Sequence, residues 1–167
     1  FETGRDQDRF DFSCHHLIVI DKKNDTIIGT YRMQTFEMAA MTNGFYTATE
    51  FDLSQAPEEV LRQSVEIGRA CIAKEHRNGR VLFLLWRGLA SYLKVFNKQN
   101  LFGCCSLTSQ DPSEGKVVMD QLEKKGLVRD DLHISPLPGY RCFAPGFLPD
   151  PGRRVKIPQL LSLIHIS

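Results

Sequence analysis

The chain has 167 residues, of which 42% are hydrophobic and 25% charged, and its formal net charge is +1. This composition is typical of a globular domain, and the charge gives no reason to expect nucleic acid or an anionic membrane as the main partner. No run approaches the roughly 18 apolar residues of a membrane span, and the N-terminus lacks a signal-peptide pattern. Any anion site must therefore be local, built from a few arginines.

The chain contains five cysteines, none of them in a C-x-x-C pair: Cys14, Cys71, Cys104, Cys105 and Cys142. Four lie in or beside apolar runs, which favours reduced, mostly buried thiols of a cytoplasmic protein over a disulfide framework. Cys14 is followed by two histidines, but this spacing matches no zinc signature, and no metal site is predicted. No histidine can be placed beside Cys104 or Cys105, so these two are interpreted as core thiols rather than nucleophiles.

The first third of the chain is predicted to consist mainly of strands. Residues 1–13 are polar, and their composition favours a solvated segment. The runs His16–Asp21 and Thr26–Gln34 flank a Lys-Lys-Asn-Asp turn and predict an antiparallel hairpin. Arg32, inside the second strand, must reach solvent at a sheet edge or pair with a buried carboxylate. After an Asn-Gly turn, the aromatic and threonine residues of Phe45–Leu53 predict a third strand.

The middle of the chain is the unit around which the rest is organised. A short helix is predicted over Pro57–Gln63, with Ser54 as a candidate N-cap. The run Val65–Ile72 predicts a strand, which leads through the polar turn His76–Arg80 into a long helix. From Val81 onwards this helix carries apolar residues at helical spacing on two sides, which predicts packing against the sheet and against another element.

The last third contains one more strand, one more helix and a loop. Leu101–Leu107 predicts a buried strand whose small residues would let a ligand or backbone approach closely. A helix is predicted over Pro112–Lys125, capped by Asp111 and ended by Gly126, and the proline- and glycine-rich chain that follows from residue 135 reads as an ordered loop. The element order predicts an α+β (mixed α/β) fold on one mostly antiparallel sheet, with parallel strands on either side of the long helix.

The His76–Arg80 turn is a candidate anion site. Arg77 and Arg80 lie at the start of a helix, where each cation is disfavoured by roughly 0.3–1 kcal/mol. An anion bound between these arginines and the first N–H groups of the helix would remove the conflict, and Gly79 would let it approach the backbone. The alternative is that both arginines extend into water, away from the helix axis.

Glu66 and Arg69 form a second candidate pair. They lie three residues apart in a predicted strand, so ideal alternation places their side chains on opposite faces. A β-bulge between them would bring both into one cleft. Without a bulge, each would form a structural ion pair with another partner, and the sequence leaves both possibilities open.

Several blocks of the sequence carry a family resemblance: GTYRMQ, GFYTATEFDL, EIGRACI, HRNG, LLWRGLA and LFGCCSLTSQDP. Over residues 6–156 the chain resembles the N-acyltransferase branch of the GNAT superfamily. That branch includes ornithine N-acyltransferases of ornithine-lipid synthesis, long-chain N-acyl amino acid synthases and hemolysin-like acyltransferases. More distantly, the chain is similar to acyl-homoserine-lactone synthases, whose D-x-x-D element, strand arginine and E-x-x-R pair are matched by Asp8 with Asp11, Arg32, and Glu66 with Arg69.

The resemblance implies transfer of a (3-hydroxy)fatty acyl group from the phosphopantetheine thioester of an acyl carrier protein to the α-amine of an amino acid, with ornithine favoured. It also implies a GNAT-like sheet splayed at its central strands, so that the thioester enters near Cys71 and Gly103. No cofactor would be bound permanently, since the acyl-phosphopantetheine is a co-substrate. The alternatives are a long-chain N-acyl amino acid or acyl-homoserine-lactone-type signal synthase, a transferase that uses acyl-coenzyme A, and a non-catalytic acyl-binding module.

The resemblance assigns roles to three groups of residues. The catalytic candidates are Glu66, as general base directly or through water, and Arg32 and Arg69, which would orient Glu66 or hold the carboxylate of the acceptor. The acceptor-binding candidates are Asp8, Asp11 and Glu50. The donor-binding candidates, which would meet the phosphopantetheine, are Arg77, Asn78, Gly79, Arg80, Cys71 and Ser106.

The resemblance also bears on the extent of the domain and on its location. Family members have a strand and helices before the first residue of this chain, and the closing SLIHIS fits no family pattern. Residues 1–158 are therefore expected to form a single acyltransferase domain without its N-terminal elements, and residues 159–167 a non-native or truncated tail. The expected location is the cytoplasm, with a peripheral contact at the inner face of the membrane left open. The expected partners are acyl carrier protein and the amino acid acceptor, without nucleic acid.

Overall fold

The computed structural model describes residues 6–107, 109–129, 132, 134–144, 146–149 and 155. The chain divides into two compact units: residues 1–49 with 56–104, and residues 50–55 with 105–167. The expected tail at 159–167 lies outside the described residues. The assignment of residues 1–158 to a single domain stays a prediction.

The first unit is built on a four-stranded sheet in the order β1-β2-β3-β4. Its strands are β1 (His15–Asp21), β2 (Thr26–Thr35), β3 (Ser64–Ile72) and β4 (Asn100–Phe102). β1 and β3 both run antiparallel to β2, whereas β4 runs parallel to β3. The predicted α+β class and the hairpin of β1 and β2 are confirmed. The predicted parallel pairing is confirmed as well, since β3 precedes the long helix in the chain and β4 follows it.

Three helices belong to the first unit: α1 (Phe36–Met41), α2 (Glu58–Arg62) and α3 (Arg80–Val95). α3 covers one face of the sheet, because its apolar residues at helical spacing meet the apolar positions of β2 and β3. The buried residues of this core are Tyr31, Met33, Val65, Val81, Leu85 and Leu89. Gly29 permits the close approach of β2 to α3, since a Cβ at that position would lie 2.6 Å from Val81 Cγ1.

The prediction of a strand over Phe45–Leu53 is wrong. Tyr46–Thr49 and Leu53–Gln55 form 3-10 turns, and Phe51 makes an isolated β-bridge to Pro136. Side chains and loop segments form hydrogen bonds with the backbone of this stretch. These bonds outweigh the strand propensity of its aromatic and threonine residues.

Two helix starts also differ from expectation. Ser54 does not cap α2: its hydroxyl donates to the Asp52 carboxylate at 2.6 Å, and Pro57 occupies the cap position. α1 has no counterpart among the predicted elements, although Thr35 caps it by accepting the N–H of Met38 at 3.4 Å. The predicted strand at 101–107 is reduced to the three residues of β4.

The second unit contains α4 (Pro112–Lys124). As predicted, the Asp111 side chain caps this helix by accepting the N–H of Ser113 at 2.8 Å, and Gly126 follows its end with a φ of +65°. Val118 and Leu122 are its buried residues. Within the described ranges, no helix of either unit is long and apolar enough to cross a membrane.

The five cysteines are all unpaired. The predicted burial is wrong for Cys71, Cys105 and Cys142, which are exposed, whereas Cys14 and Cys104 are half-buried. Burial raises the pKa of the Cys14 thiol to about 11, so this group is protonated at neutral pH and a poor nucleophile.

Candidate active site

Arg32 alternates along β2 with residues that pack on α3, so its side chain lies on the other face of the sheet. Its Nη1 donates to both carboxylate oxygens of Asp8, at 2.8 and 2.9 Å, and to Asp11 at 2.7 Å. The guanidinium carbon lies 5.6 Å from the ring centroid of Phe10 and 5.5 Å from that of Tyr46. Only 6% of Arg32 is exposed, so of the two possibilities that the sequence left open, pairing with carboxylates is the one observed.

Hydrogen bonds within their own segment hold Asp8 and Asp11 in place beside the Arg32 guanidinium. The backbone N–H of Asp8 donates to Asp11 at 2.8 Å, and that of Phe10 donates to Asp8 at 2.8 Å. Burial acts to raise the pKa of both carboxyls, but the hydrogen bonds from Arg32 and from the backbone outweigh it. Both pKa values therefore lie below the ordinary 3.8, and both groups are ionised at neutral pH.

A β-bulge interrupts the pairing of β2 and β3. Thr30 lies opposite Cys71 and Arg32 opposite Gly68, so one residue of β2 faces two residues of β3 in between. Arg69, one of those two, has a φ of +53°, which side-chain-bearing residues rarely adopt in a strand. The bulge on which the interpretation of Glu66 and Arg69 depended is therefore present.

The bulge places Arg69 on the same face as Arg32. Its Nη1 donates to Asp6 at 2.8 Å, and its Nη2 lies 3.5 Å from an oxygen of Asp11 and 3.8 Å from one of Asp8. Asp11 is consequently shared by the two guanidinium groups. Asp6 was not among the predicted site residues, although it belongs to the same aspartate-containing segment before β1 as Asp8 and Asp11.

Glu66 lies on the same face of the sheet as Arg32 and Arg69. It lies opposite Gln34, two residues beyond Arg32 along β2, and 6% of it is exposed. Its carboxylate accepts the backbone N–H of Tyr46 at 2.9 Å and that of Thr47 at 2.6 Å. An ionised carboxylate has about four acceptor positions, so these two bonds leave each oxygen able to accept another.

Gln34 lies on the same face, but no functional role was predicted for it. It is 1% exposed, and its Nε2 donates to the Thr42 hydroxyl at 3.4 Å. Its Oε1 is buried without a hydrogen-bond partner among the described residues. A buried glutamine inside a strand can be read from sequence only as a polar residue at a core position.

The predicted anion site surrounds a cavity of about 480 Å³, lined by Asn78, Gly79, Arg80, Phe83 and Leu84. Gly79 adopts a φ of +84° at the N-cap of α3 and has no side chain that could cap the helix. Asn78 accepts the N–H of Arg80 at 3.2 Å. The first turn of a helix leaves N–H groups without partners inside the helix, which suits an anion in this cavity. Arg77 is directed elsewhere, since its Nε donates to the carbonyl of Ile72 at 3.1 Å.

Past the end of β4, the edge of β3 has no neighbouring strand in the described part of the chain. β4 pairs with β3 over three residues and stops at Phe102, opposite Glu66. The predicted close backbone approach is observed at Gly103, where a Cβ would lie 2.1 Å from the carbonyl oxygen of Ile67. Within the described ranges, the strand pairs of β3 from Ile67 to Ile72 are with β2 alone, and the splay of the central strands stays a prediction. Cys71 lies exposed in this segment.

Two predicted site residues belong to the second unit. The carbonyl oxygen of Glu50 accepts the N–H of Leu137 at 2.8 Å, and Ser106 is exposed. Their roles in acceptor and donor binding stay predictions. Among the described residues, no group of three or more His, Cys, Asp or Glu side chains is arranged to hold a metal ion.

Comparison with known proteins decides the family. A family model described as the acetyltransferase (GNAT) domain matches residues 1–87, more than half of the chain. The chain belongs to the GNAT family. The match includes Arg32, Glu66, Arg69 and the turn from Arg77 to Arg80.

The chain is also similar to curated L-ornithine N(alpha)-acyltransferases. It is 33% identical over 140 residues to those of Agrobacterium fabrum, Brucella abortus and Rhizobium meliloti. These alignments cover 80% of this chain but only 48%, 50% and 47% of the three relatives. This chain thus spans about half the length of the curated relatives it matches.

Proposed function

We propose that the protein transfers a (3-hydroxy)fatty acyl group from the phosphopantetheine thioester of an acyl carrier protein to the α-amine of ornithine. The names of the relatives support the reaction and its acceptor. The observation that carries the proposal is that one strand, β3, connects the candidate acceptor side and the candidate donor side of the site. Its bulged face holds Glu66 and Arg69, and its end leads through the Lys74–His76 turn into the cavity at the start of α3.

The charge of the cluster favours a cationic acceptor. The cluster comprises Arg32 and Arg69, the carboxylates that pair with them and Glu66 on the same sheet face. These two guanidinium and four carboxylate groups have a formal charge of −2: Arg32, Arg69, Asp6, Asp8, Asp11 and Glu66. Ornithine carries two ammonium groups and one carboxylate, so it is attracted by this excess. Arg69 is 31% exposed and is the cluster's arginine that can still meet the acceptor's carboxylate, whereas Arg32 is buried between its partners.

The chemistry requires two protons to leave the acceptor nitrogen. The α-ammonium first loses a proton to become nucleophilic, and its nitrogen then attacks the thioester carbonyl carbon. The C–N bond forms and the C–S bond breaks as the nitrogen loses its second proton. One proton ends on the departing thiol, and the other passes through Glu66, directly or through a water, to solvent. Because Glu66 is buried and already accepts two N–H groups, its base role depends on an acceptor or water reaching its free lone pairs.

The donor side of the proposal rests on the turn before α3. The phosphate of phosphopantetheine would lie in the cavity, near the N–H groups of the first helical turn and the Arg80 guanidinium. The arm would then run along the open edge of β3 past Cys71, which brings the thioester towards Glu66. A backbone N–H on that edge would stabilise the tetrahedral oxyanion.

Incubation of the protein with 3-hydroxyacyl carrier protein and a panel of amino acids tests this function. We expect N-acylornithine as the main product by mass spectrometry, with release of one free thiol per amide formed. Parallel reactions with acyl-coenzyme A distinguish the two donors. The absence of an N-acyl product with every amine and both donors would contradict the proposal.

A further inference from the structure

The region around α3 has an unusual charge distribution. From His76 to Gln110 the sequence contains no aspartate or glutamate, although the whole chain has 20 of them. The same region carries five cations: Arg77, Arg80, Arg87, Lys94 and Lys98. A chain with a net charge of only +1 therefore concentrates positive charge on one helix and its flanks.

Part of this charge forms a solvent-facing stripe along α3, which comprises Arg80, Phe83, Leu84, Arg87 and Lys94. Steps of three, four and seven residues place these side chains on one side of a helix. Phe83 is 63% and Leu84 45% exposed, so apolar and cationic side chains are interleaved on this surface.

The cations of the stripe have no carboxylate partners within the described residues. In the same unit, Arg32, Arg62, Arg69 and Lys98 all form ion pairs. Arg87 contacts the ring of Phe83, whose centroid lies 5.9 Å from the guanidinium carbon. The stripe thus presents positive charge without a carboxylate partner in the described part of the chain, together with an exposed aromatic ring.

The stripe begins at the cavity of the candidate donor site. Arg80, Phe83 and Leu84 line that cavity, and Arg87 and Lys94 continue from it along the helix. We propose that the stripe is the docking surface for an acidic carrier protein, whose covalently attached acyl arm enters the cavity. This proposal rests on the proposed function, because it requires a donor that is tethered to a protein.

The geometry of α3 favours an acidic protein over an anionic membrane. A helix that lies in a membrane interface inserts its broad apolar face, with cations at the margins. In α3 that face is Val81, Leu85 and Leu89, and it is buried against the sheet. What remains exposed is narrow, and it is suited to complementary charges around one aromatic anchor.

Two charge reversals outside the cavity test the proposal: Arg87→Glu and Lys94→Glu, combined in one variant. Lys124→Glu and Lys125→Glu, combined in one variant at the end of α4, form a control with the same change of charge at two other exposed lysines. Arg87→Lys with Lys94 intact should retain docking. Binding of the unacylated carrier protein is measured by titration calorimetry. Turnover is measured separately with acyl carrier protein and with acyl-coenzyme A. Circular dichroism and thermal unfolding confirm that each variant is folded.

We expect the double variant to bind the carrier protein at least about tenfold more weakly, with a smaller dependence on salt, since charges at the rim of an interface act in this way. Its turnover with acyl-coenzyme A should be unchanged. Unchanged carrier binding would overturn the docking proposal and leave the function standing. Loss of binding to anionic phospholipid vesicles, with carrier binding intact, would overturn it in favour of a membrane. Carrier binding that depends on the stripe, without transfer from any donor, would support docking and contradict the function.

Discussion

The backbone N–H of Thr47 donates to the carboxylate of Glu66 at 2.6 Å, which ties the Tyr46–Thr49 turn to the centre of β3. The same carboxylate is the candidate general base. Glu66 therefore has a structural role, shown by its two hydrogen bonds, and a proposed chemical role. An experiment on this residue is informative only if it separates the two.

Replacement of Glu66 by glutamine should destabilise the protein. The amide can accept one of the two backbone N–H groups, but its own NH2 would face the other, so a buried donor loses its partner. Such a loss costs roughly 1–3 kcal/mol. We expect the free energy of unfolding in urea to fall by that amount, and turnover of the folded fraction to fall by much more than tenfold if Glu66 is also the base.

Glu58→Gln is the matched control for this change. Glu58 pairs with Arg62 on the surface of α2, where its side chain is 67% exposed, and such pairs contribute little. Its replacement should alter stability by no more than about 0.5 kcal/mol. A Glu66→Gln variant as stable as Glu58→Gln would contradict the hydrogen bonds described, and full turnover in it would remove Glu66 from the base role.

The ion pairs of Arg32 predict how stability changes in acid. The pKa of Asp8 and that of Asp11 are lowered in the folded protein, so unfolding raises them towards the ordinary value near 3.9. Their contribution to stability is therefore fully present above about pH 4 and is lost as the pH falls through the lowered values. Urea unfolding between pH 6 and pH 2 should show this decrease.

Arg32→Met should reverse the shift at Asp8. Without the guanidinium, burial is left to raise the pKa of this carboxyl, and its titration midpoint by carbon NMR should move upward. Asp52 is a suitable internal control, because the Ser54 hydroxyl and N–H lower its pKa without help from Arg32. An Asp8 midpoint that does not move, in a variant whose spectrum remains folded, would contradict the assignment of the ion pair.

Gly79 provides a test of the donor cavity that is independent of charge. An alanine there has open space around its Cβ, but the φ of +84° would strain it by about 1 kcal/mol. Gly126, after α4, has the same open space and a φ of +65°. Both alanine variants should lose similar stability, but only Gly79→Ala should raise the KM for the acyl donor. Equal KM values in the two variants would argue against a donor at the start of α3.

The junction of β3 and β4 predicts a contrast between two other glycines. An alanine Cβ at Gly103 would overlap the carbonyl oxygen of Ile67, which belongs to the backbone and cannot turn away. We expect Gly103→Ala to cost at least about 2 kcal/mol in chemical unfolding. Gly68→Ala has nothing within 4 Å of the added Cβ and should change stability by less than about 1 kcal/mol. Similar values for the two would mean that β4 does not approach β3 as described.

The local parts of this fold could be predicted from the sequence. The hairpin follows from turn residues between two apolar runs, and α4 follows from Asp111, Pro112 and Gly126 at its ends. The helix after the basic turn follows from apolar spacing alone. In each case, the residues that determine the element lie within it or next to it.

The site could be predicted only in part, because its geometry depends on contacts between distant segments. Tyr46 and Thr47 look like strand residues, but a carboxylate 19 residues further along the chain accepts the N–H of Thr47 and holds the backbone in a 3-10 turn. The bulge at Arg69 has no mark in the sequence beyond the neighbouring Gly68, since Arg rarely takes a positive φ. The family resemblance marked Asp8 and Asp11 as acceptor-binding residues, although their composition favoured a solvated segment. Their pairing with Arg32 was not predicted, because it joins segments more than 20 residues apart.

The most direct test of the central claim compares ornithine with norvaline, which has the same carbon chain without the second amine. With an acyl carrier protein as donor, kcat/KM for N-acylation is measured for both acceptors, and the amide is located by mass spectrometry. The formal charge of −2 in the cluster predicts acylation of the α-amine with a preference for ornithine of at least about tenfold, equivalent to roughly 1.4 kcal/mol of binding to the second ammonium group. Equal values for the two acceptors, or acylation of the side-chain amine, would contradict the account.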